Sequence, residues 1–338
     1  MKHSIKPRPP VDSIAEGVLQ GDRMMLSQAI TIIESNLEDD WKLSTELLEK
    51  IIHATGNAFR VGITGVPGVG KSSFIDVLGT HITNLGKKLA VLTVDPSSQL
   101  TKGSILGDKT RMEELSRQPL AYIRPSPSGN TLGGVAQKTN DVVLLCEAAG
   151  FDVIIIETVG VGQSEITVKN LTDFFLLLML AGAGDELQGI KKGITEVADA
   201  IVITKADGEN IREASAAKAS LEHALHLTPS PLSTWKTNVL TASARTKVGI
   251  EEVWKMISSY RDEMMQDETL QRRRRQQKID WLDIYFKELL NSDITANHGV
   301  QAEIKKLEDL LIEKKISAHG AAEKLLAAYY REIRGARK

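Results

Sequence analysis

The segment Gly65-Val66-Pro67-Gly68-Val69-Gly70-Lys71-Ser72 has the residue types and spacing of a phosphate-binding loop, Gly-x-x-x-x-Gly-Lys-Ser. Its glycines let successive backbone N–H groups turn inward and line an anion nest. Lys71 is expected to reach the β- and γ-phosphates of a nucleotide, and Ser72 to offer its hydroxyl to Mg²⁺. The residues before the loop, Arg60 to Thr64, read as a strand, and Ser73 to about Leu85 as a helix. A helix opening there adds the partial positive charge of its N-terminus to the nest. Gly65 to Ser73 are therefore candidate phosphate ligands.

A magnesium–phosphate site also needs carboxylates and a group that senses the γ-phosphate. Glu157 closes the apolar run Asp152-Val-Ile-Ile-Ile-Ile156, Asp95 closes the run Leu89–Val94, and Asp108 lies in the loop-like stretch 104–111. An acidic residue at the end of a buried strand is where a magnesium partner belongs. Three positions after Glu157 comes Gly160, the spacing of a switch whose glycine N–H contacts the terminal phosphate. Small signalling GTPases place a water-orienting glutamine directly after that glycine. Here Val161 stands there, and Gln163 follows two positions on. Slow intrinsic hydrolysis, accelerated by a partner or another segment, is the expectation. Arg111 and Lys191 are loop cations that could approach the γ-phosphate and stabilise transition-state charge; a surface charge or local ion pair explains each equally well.

Thr204-Lys205-Ala206-Asp207 follows the strand-like run Ala200–Ile203 and matches the [N/T]KxD element of guanine recognition. A carboxylate at Asp207 accepts from guanine N1–H and the N2 amine, a donor pair that adenine lacks. Ser243-Ala244, after Val239–Thr241, matches the further element whose backbone N–H contacts guanine O6. Together, in this chain order, they favour GTP over ATP. Thr204 stands where Asn is usual, which bears on the strictness of that choice.

These residues need a scaffold, and the hydrophobic pattern supplies one. From residue 59 short apolar runs alternate with helix-length segments: 61–64, 89–94, 153–156, 174–180, 200–204 and 239–241, with 121–124 weaker. Such alternation implies crossover units and a mainly parallel α/β sheet, with ligands at the carboxyl ends of its strands. Residues 11–56 carry helix-period patterning, and helical patterning returns from about 251. The expected division is a helical N-terminal extension (1–56), a P-loop domain (57–262) and a helical C-terminal arm (263–338).

The whole-chain numbers exclude more than they specify. Across 338 residues, 42% hydrophobic and 25% charged composition is that of an ordinary globular protein. A formal net charge of −2 gives no global attraction to nucleic acid or an acidic membrane. The apolar run 174–180 is far short of the ~20 residues a spanning helix needs, and the N-terminus lacks a secretory h-region. A cytoplasmic location or an equivalent interior is expected, with no membrane partner. The single cysteine, Cys146, and the seven histidines lack metal-ligand spacing. The run Arg272–Arg275 reads as a solvated helix face or a salt-bridging dimer surface rather than a nucleic-acid contact, because no aromatic residues interleave it and the chain is not basic overall.

Taken together, GITGVPGVGKSS, VDPSS, SILGDKTRM, ETVGVGQSE, GAGDELQGIKKGI and TKAD resemble the MeaB/ArgK family of GTPases over roughly residues 10 to 335. The resemblance implies a SIMIBI-type G domain with helical extensions and a C-terminal arm that forms a homodimer. It implies GTP and Mg²⁺ as ligands and an adenosylcobalamin-dependent acyl-CoA mutase, methylmalonyl-CoA mutase, as partner. The family gates cobalamin delivery to that mutase and protects it from inactivation. Carried onto this chain, Ser72, Asp95, Asp108 and Glu157 form the magnesium shell, and Lys205 and Asp207 hold the base. Residues 182–193 become a third switch that senses nucleotide and touches the partner. The family was once described as a kinase linked to lysine, arginine and ornithine transport, so a transport-linked kinase or ATPase is the alternative.

Overall fold

The structure is a computed structural model; it describes residues 8–95, 112–127, 132–158, 168–182, 195, 197–227 and 235–336. These fall into two compact units, one ending at Gln277 and one beginning at Lys278.

The first unit is built on a seven-stranded sheet: β1 (Phe59–Gly65), β2 (Leu89–Asp95), β3 (Ala121–Pro127), β4 (Val153–Thr158), β5 (Phe174–Leu180), β6 (Ala200–Thr204) and β7 (Asn238–Thr241). The spatial order is β3-β2-β4-β1-β5-β6-β7, and every pairing is parallel. All carboxyl ends therefore share one edge. β1, β4 and β6 are buried at every position, as strands covered on both faces must be. All seven apolar runs are strands, including the weaker 121–124.

Three helices, α1 (Val11–Leu19), α2 (Arg23–Glu34) and α3 (Glu38–Ile51), precede the sheet. Asp22 opens α2 by accepting from the N–H groups of Met24 and Met25, which satisfies two donors that the first turn leaves open. Among the described residues, the further α-helices of this unit are α4 (Lys71–Asn84), α5 (Glu113–Ser116), α6 (Leu132–Ala148), α7 (Ile211–Leu227), α8 (Ile250–Gln266) and the first part of α9 (Thr269–Ala296). α2 and α3 pack on α6. The core between α4, α8 and the sheet contains Ile63, Phe74, Ile75, Leu78, Phe174, Leu176, Val253 and Ile257, all at most 1% exposed.

The arginine run at the start of α9 departs from expectation. Arg272 and Arg275 are exposed, but Arg273 and Arg274 are turned into the amino edge of the sheet. Arg274 Nε donates to Asp173 Oδ1 at 2.8 Å, and its other nitrogens reach the carbonyls of Gly56 and Ala58. Asp173, fully buried, also accepts from the Arg60 N–H at 2.8 Å. Arg273 donates to the Asp173 carbonyl at 2.8 Å and to the Tyr260 hydroxyl at 3.1 Å, and lies 3.7 Å from the Asp199 carboxylate. Burial raises the Asp199 carboxyl, and the cations Arg273 and Lys169 oppose that rise. Helix periodicity carries no sign of this, because the carboxylate that Arg274 meets, Asp173, lies 101 residues upstream.

The second unit comprises the rest of α9, α10 (His298–Ile312) and α11 (Ala318–Ala336). α10 packs on α11, with Val300, Leu307, Ala321, Ala328 and Tyr329 buried. Tyr329 donates to Asp293, and Asn297 caps α10 by accepting from the Val300 N–H. Along the exposed side of α9 run Ile279 (56% exposed), Leu282 (70%), Phe286 (58%) and Leu289 (62%). Among the described residues no helix is long and apolar enough to cross a membrane.

Candidate functional site

The loop after β1 is shaped by backbone constraints before any side chain acts. At Gly65 the chain passes β5 so closely that a Cβ would lie 2.6 Å from the Leu178 carbonyl oxygen. Gly70 holds φ 93° as the N-cap of α4, a left-handed conformation that glycine adopts without penalty. Val66, Pro67 and Gly68 form the turn between them, Val69 is fully buried beneath it, and Lys71, Ser72 and Ser73 make the first turn of α4. The helix therefore points its N-terminal N–H groups at the loop.

Lys71 is 8% exposed and donates to the Gly65 carbonyl at 2.8 Å and the Val66 carbonyl at 3.2 Å. Its stem is buried and its ammonium is curled over the loop. Burial pushes its proton affinity below the ordinary lysine range, and Glu157 nearby pulls it back up. An arriving phosphate would add to that pull.

Ser72 Oγ donates to Glu157 Oε1 at 3.0 Å. Glu157 is 5% exposed and sits beside Ile63 of β1 in the sheet register. Next to it, the Thr158 hydroxyl donates to Thr64 Oγ1 at 2.8 Å, tying the ends of β4 and β1 together. A hydroxyl and a carboxylate oxygen in contact are the hard donors that Mg²⁺ takes beside substrate phosphates, so the residues present fit that ion. Asp95 closes β2 at the same edge. Asp108, Arg111, Gly160, Val161, Gln163 and Lys191 lie outside the described residues, as does the stretch 183–194.

The base-side elements meet the phosphate loop from the other flank. Thr204 ends β6, and Lys205 holds φ 55°, a left-handed turn that carries the chain outward. The stem of Lys205 passes over the loop, its Cε 4.0 Å from where a Cβ on Gly70 would sit. Ser243, in the turn after β7, donates its hydroxyl to Asp207 Oδ2. That hydroxyl accepts from the Thr246 N–H at 3.1 Å. Arg245 reaches to 4.0 Å of Asp207 but is 86% exposed, so water screens it. The Ala206 N–H donates to the Ala242 carbonyl at 3.2 Å, which joins the two elements through their backbones.

Within the Ser243-Ala244 pair the two N–H groups differ. That of Ser243 is held by the Val248 carbonyl at 2.9 Å. Half-buried Ala244 has no backbone acceptor among the described residues, so its N–H is the one available to a base. The sequence singled out both residues; the buttressing of Asp207 by the Ser243 side chain had no signal beyond the serine itself.

The parallel sheet, the phosphate loop on its central strand and the paired base elements define a P-loop GTPase. The model of the family described as methylmalonyl-CoA mutase-associated GTPase MeaB matches residues 26–299. The chain belongs to that family. It is 48% identical over 278 residues to the GTPase ArgK of Escherichia coli (strain K12), covering 82% of this chain and 84% of that protein. It is 40% identical over 329 residues to the mitochondrial methylmalonic aciduria type A homolog of Mus musculus, covering 94% and 79%. Among solved structures it is similar to a LAO/AO transport system kinase, with a TM-score of 0.73 and 36% identity over 94% of this chain and 96% of that one.

Proposed function

We propose that this protein binds GTP with Mg²⁺, hydrolyses it slowly on its own, and uses the outcome to gate an adenosylcobalamin-dependent acyl-CoA mutase, with methylmalonyl-CoA mutase as the first candidate. The observation that carries the nucleotide chemistry is the convergence at one sheet edge of the Ser72–Glu157 contact at 3.0 Å, the Lys71 ammonium and the Ser243-braced Asp207. The family description supports the mutase as partner.

In this scheme the N–H groups of residues 65–73 and Lys71 hold the phosphates. Thr204, Lys205, Asp207, Ser243 and Ala244 form the base side, with Asp207 accepting from guanine. Ser72 and Glu157, with Asp95 and Asp108, hold Mg²⁺, which neutralises charge on the β- and γ-phosphates. Gly160 senses the γ-phosphate, and Arg111 and Lys191 are the cations that a partner would bring into play. Water attacks the γ-phosphorus, the bond to the bridging oxygen breaks, and GDP leaves with the electron pair. The absence of a glutamine at Val161 supports a slow intrinsic rate. Residues 95–111, 157–165 and 182–193 carry the nucleotide state to the mutase, which the protein loads with cobalamin and protects in the cytoplasm.

The functional division is a helical extension (1–56), a GTPase domain (57–262) and a dimerisation arm (263–338). Ile279, Leu282, Phe286 and Leu289 recur at spacings of three and four on α9, a single helical stripe. A contiguous exposed apolar stripe of this kind marks an interaction surface, and a second copy of the arm is its proposed occupant.

The test is co-purification with candidate mutases in the presence of a non-hydrolysable GTP analogue, paired with GTP turnover with and without the mutase. Association together with accelerated turnover is expected. If no acyl-CoA mutase binds at high concentration, the mutase role is wrong. The name of the similar solved structure keeps a transport-linked kinase in view. Transfer of a γ-labelled phosphate to protein rather than to water would establish that alternative.

A further inference from the structure

Thr204 lies at the junction of the two halves of the site, and its hydroxyl proton is already committed. Thr204 Oγ1 donates to the Val69 carbonyl at 2.7 Å and shares its proton with the Met179 carbonyl at 3.2 Å. Both partners are carbonyl oxygens, which can only accept, so the threonine must be the donor in both. The residue is 5% exposed, and its one proton stays inside the protein. Val69 is the fully buried residue under the phosphate loop, and Met179 belongs to β5. One short side chain therefore fastens the base loop to the phosphate loop and to the neighbouring strand.

Guanine presents two acceptors, N7 and O6, on one edge and its N1–H and N2 donors on another. Asp207 is placed for the donors and the Ala244 N–H for one acceptor. A second acceptor needs another donor. An asparagine at 204 would carry two N–H donors and a carbonyl, enough to hold the phosphate loop and still serve a base nitrogen. A threonine has a single O–H, and here that O–H is bound twice.

We propose that Thr204 is a positioning residue that locks the phosphate loop to the base loop, and that it leaves guanine N7 unread, so that among the described residues the hydrogen-bonding edge of guanine is read by Asp207 and the Ala244 N–H. This rests on guanine nucleotides being the ligand. The consequence is a site that tells guanine from adenine by its N1, N2 and O6 groups and is blind to the nitrogen at position 7.

The test compares binding of GTP, 7-deaza-GTP and ATP to the full-length protein by titration calorimetry. 7-Deaza-GTP replaces N7 with a C–H and keeps the N1, N2 and O6 groups in place. The expected result is equal affinity for GTP and 7-deaza-GTP, within about twofold, with ATP far weaker. In Thr204→Asn a preference for GTP over 7-deaza-GTP should appear, about threefold to tenfold, the worth of one net hydrogen bond. Thr204→Val, which keeps the shape but drops the hydroxyl, should weaken GTP and 7-deaza-GTP by the same factor. Thr204→Ser, which keeps the donor, should restore both. Equal thermal stability of the serine variant and the native protein serves as the folding control.

A loss of more than about threefold on removing N7 from GTP, with the native protein, overturns the inference while leaving guanine specificity intact. Unequal weakening of the two nucleotides in Thr204→Val overturns it as well. Failure to bind GTP at all, with ATP bound, sinks the guanine assignment and this inference with it.

Discussion

At the scale of single residues, the carboxylate of Asp207 and the ammonium of Lys71 make opposite demands on the protein. Asp207 is braced by the Ser243 hydroxyl, which would hold its acceptors in one orientation toward a guanine base. Asp207→Asn should weaken GTP about a hundredfold or more, because a site built for a donor pair meets a mismatched group. The same variant should gain affinity for xanthosine triphosphate, whose O2 can accept from the new amide. Competition binding with the two nucleotides checks this, and an unchanged preference for GTP would remove Asp207 from base recognition. Lys71 shows the cost of a ready cation. Burial holds its proton affinity below the ordinary value of 10.5. In the nucleotide-free protein the folded chain releases this proton at a lower pH than the unfolded chain does. Between the folded value and 10.5 the unfolded state binds more protons, so this group's contribution to stability rises with pH. Melting temperatures followed as the pH rises toward 10.5 should therefore rise for the native protein relative to Lys71→Met. A bound GTP analogue should flatten the difference, since the phosphates favour the charged form. Parallel profiles for the two nucleotide-free proteins would contradict it. Both residues were legible in the sequence, because each sits at a fixed offset inside a contiguous motif. The Thr204 hydroxyl bond to Val69 was not, because its two ends are 135 residues apart.

At the scale of elements, the strands were legible and the arginine clamp was not. Apolar runs such as Val153–Ile156 and Phe174–Leu180 have no polar face to offer solvent, so they could only become strands covered on both sides. The start of α9 reads as a basic surface, yet Arg274 and Arg273 are drawn down onto Asp173 and Asp199. Asp173 is fully buried, and stripping one partner from a buried ion pair leaves the other charge uncompensated. Arg274→Ala should destabilise the protein by ~3–5 kcal/mol, whereas exposed Arg275→Ala should stay within about 0.5 kcal/mol of native. Urea denaturation of the two variants side by side decides it; similar midpoints would mean the clamp carries no weight.

At the scale of the whole molecule, the parallel sheet with the order β3-β2-β4-β1-β5-β6-β7 puts every candidate ligand among the described residues on one edge, and the arginine clamp on the opposite one. Nucleotide chemistry and the anchoring of α9 are thereby kept apart. The arm beyond Gln277 offers the apolar stripe from Ile279 to Leu289. Leu282→Glu combined with Phe286→Glu should convert a dimer to a monomer in sedimentation velocity while leaving GTP affinity unchanged, because neither side chain belongs to the nucleotide site. A native protein that is already monomeric at tens of micromolar would rule out the arm as a dimer surface. Helix periodicity marks these residues as apolar, but a leucine at helical spacing looks the same whether it is buried within its own chain or exposed.

The sequence by itself marked the candidate elements that depend on adjacency: the phosphate loop, its flanking strand and helix, the acidic strand end at Glu157 and the Thr204–Asp207 element. Each is a short run whose backbone and side chains act together, so spacing alone carries the information. Only the tertiary structure decided what depends on distant partners. It set Ser72 against Glu157, Ser243 against Asp207, Thr204 against Val69 and Arg274 against Asp173. Those contacts follow from how strands, loops and α9 pack together, and strand order is a property of the packed sheet rather than of any segment within it.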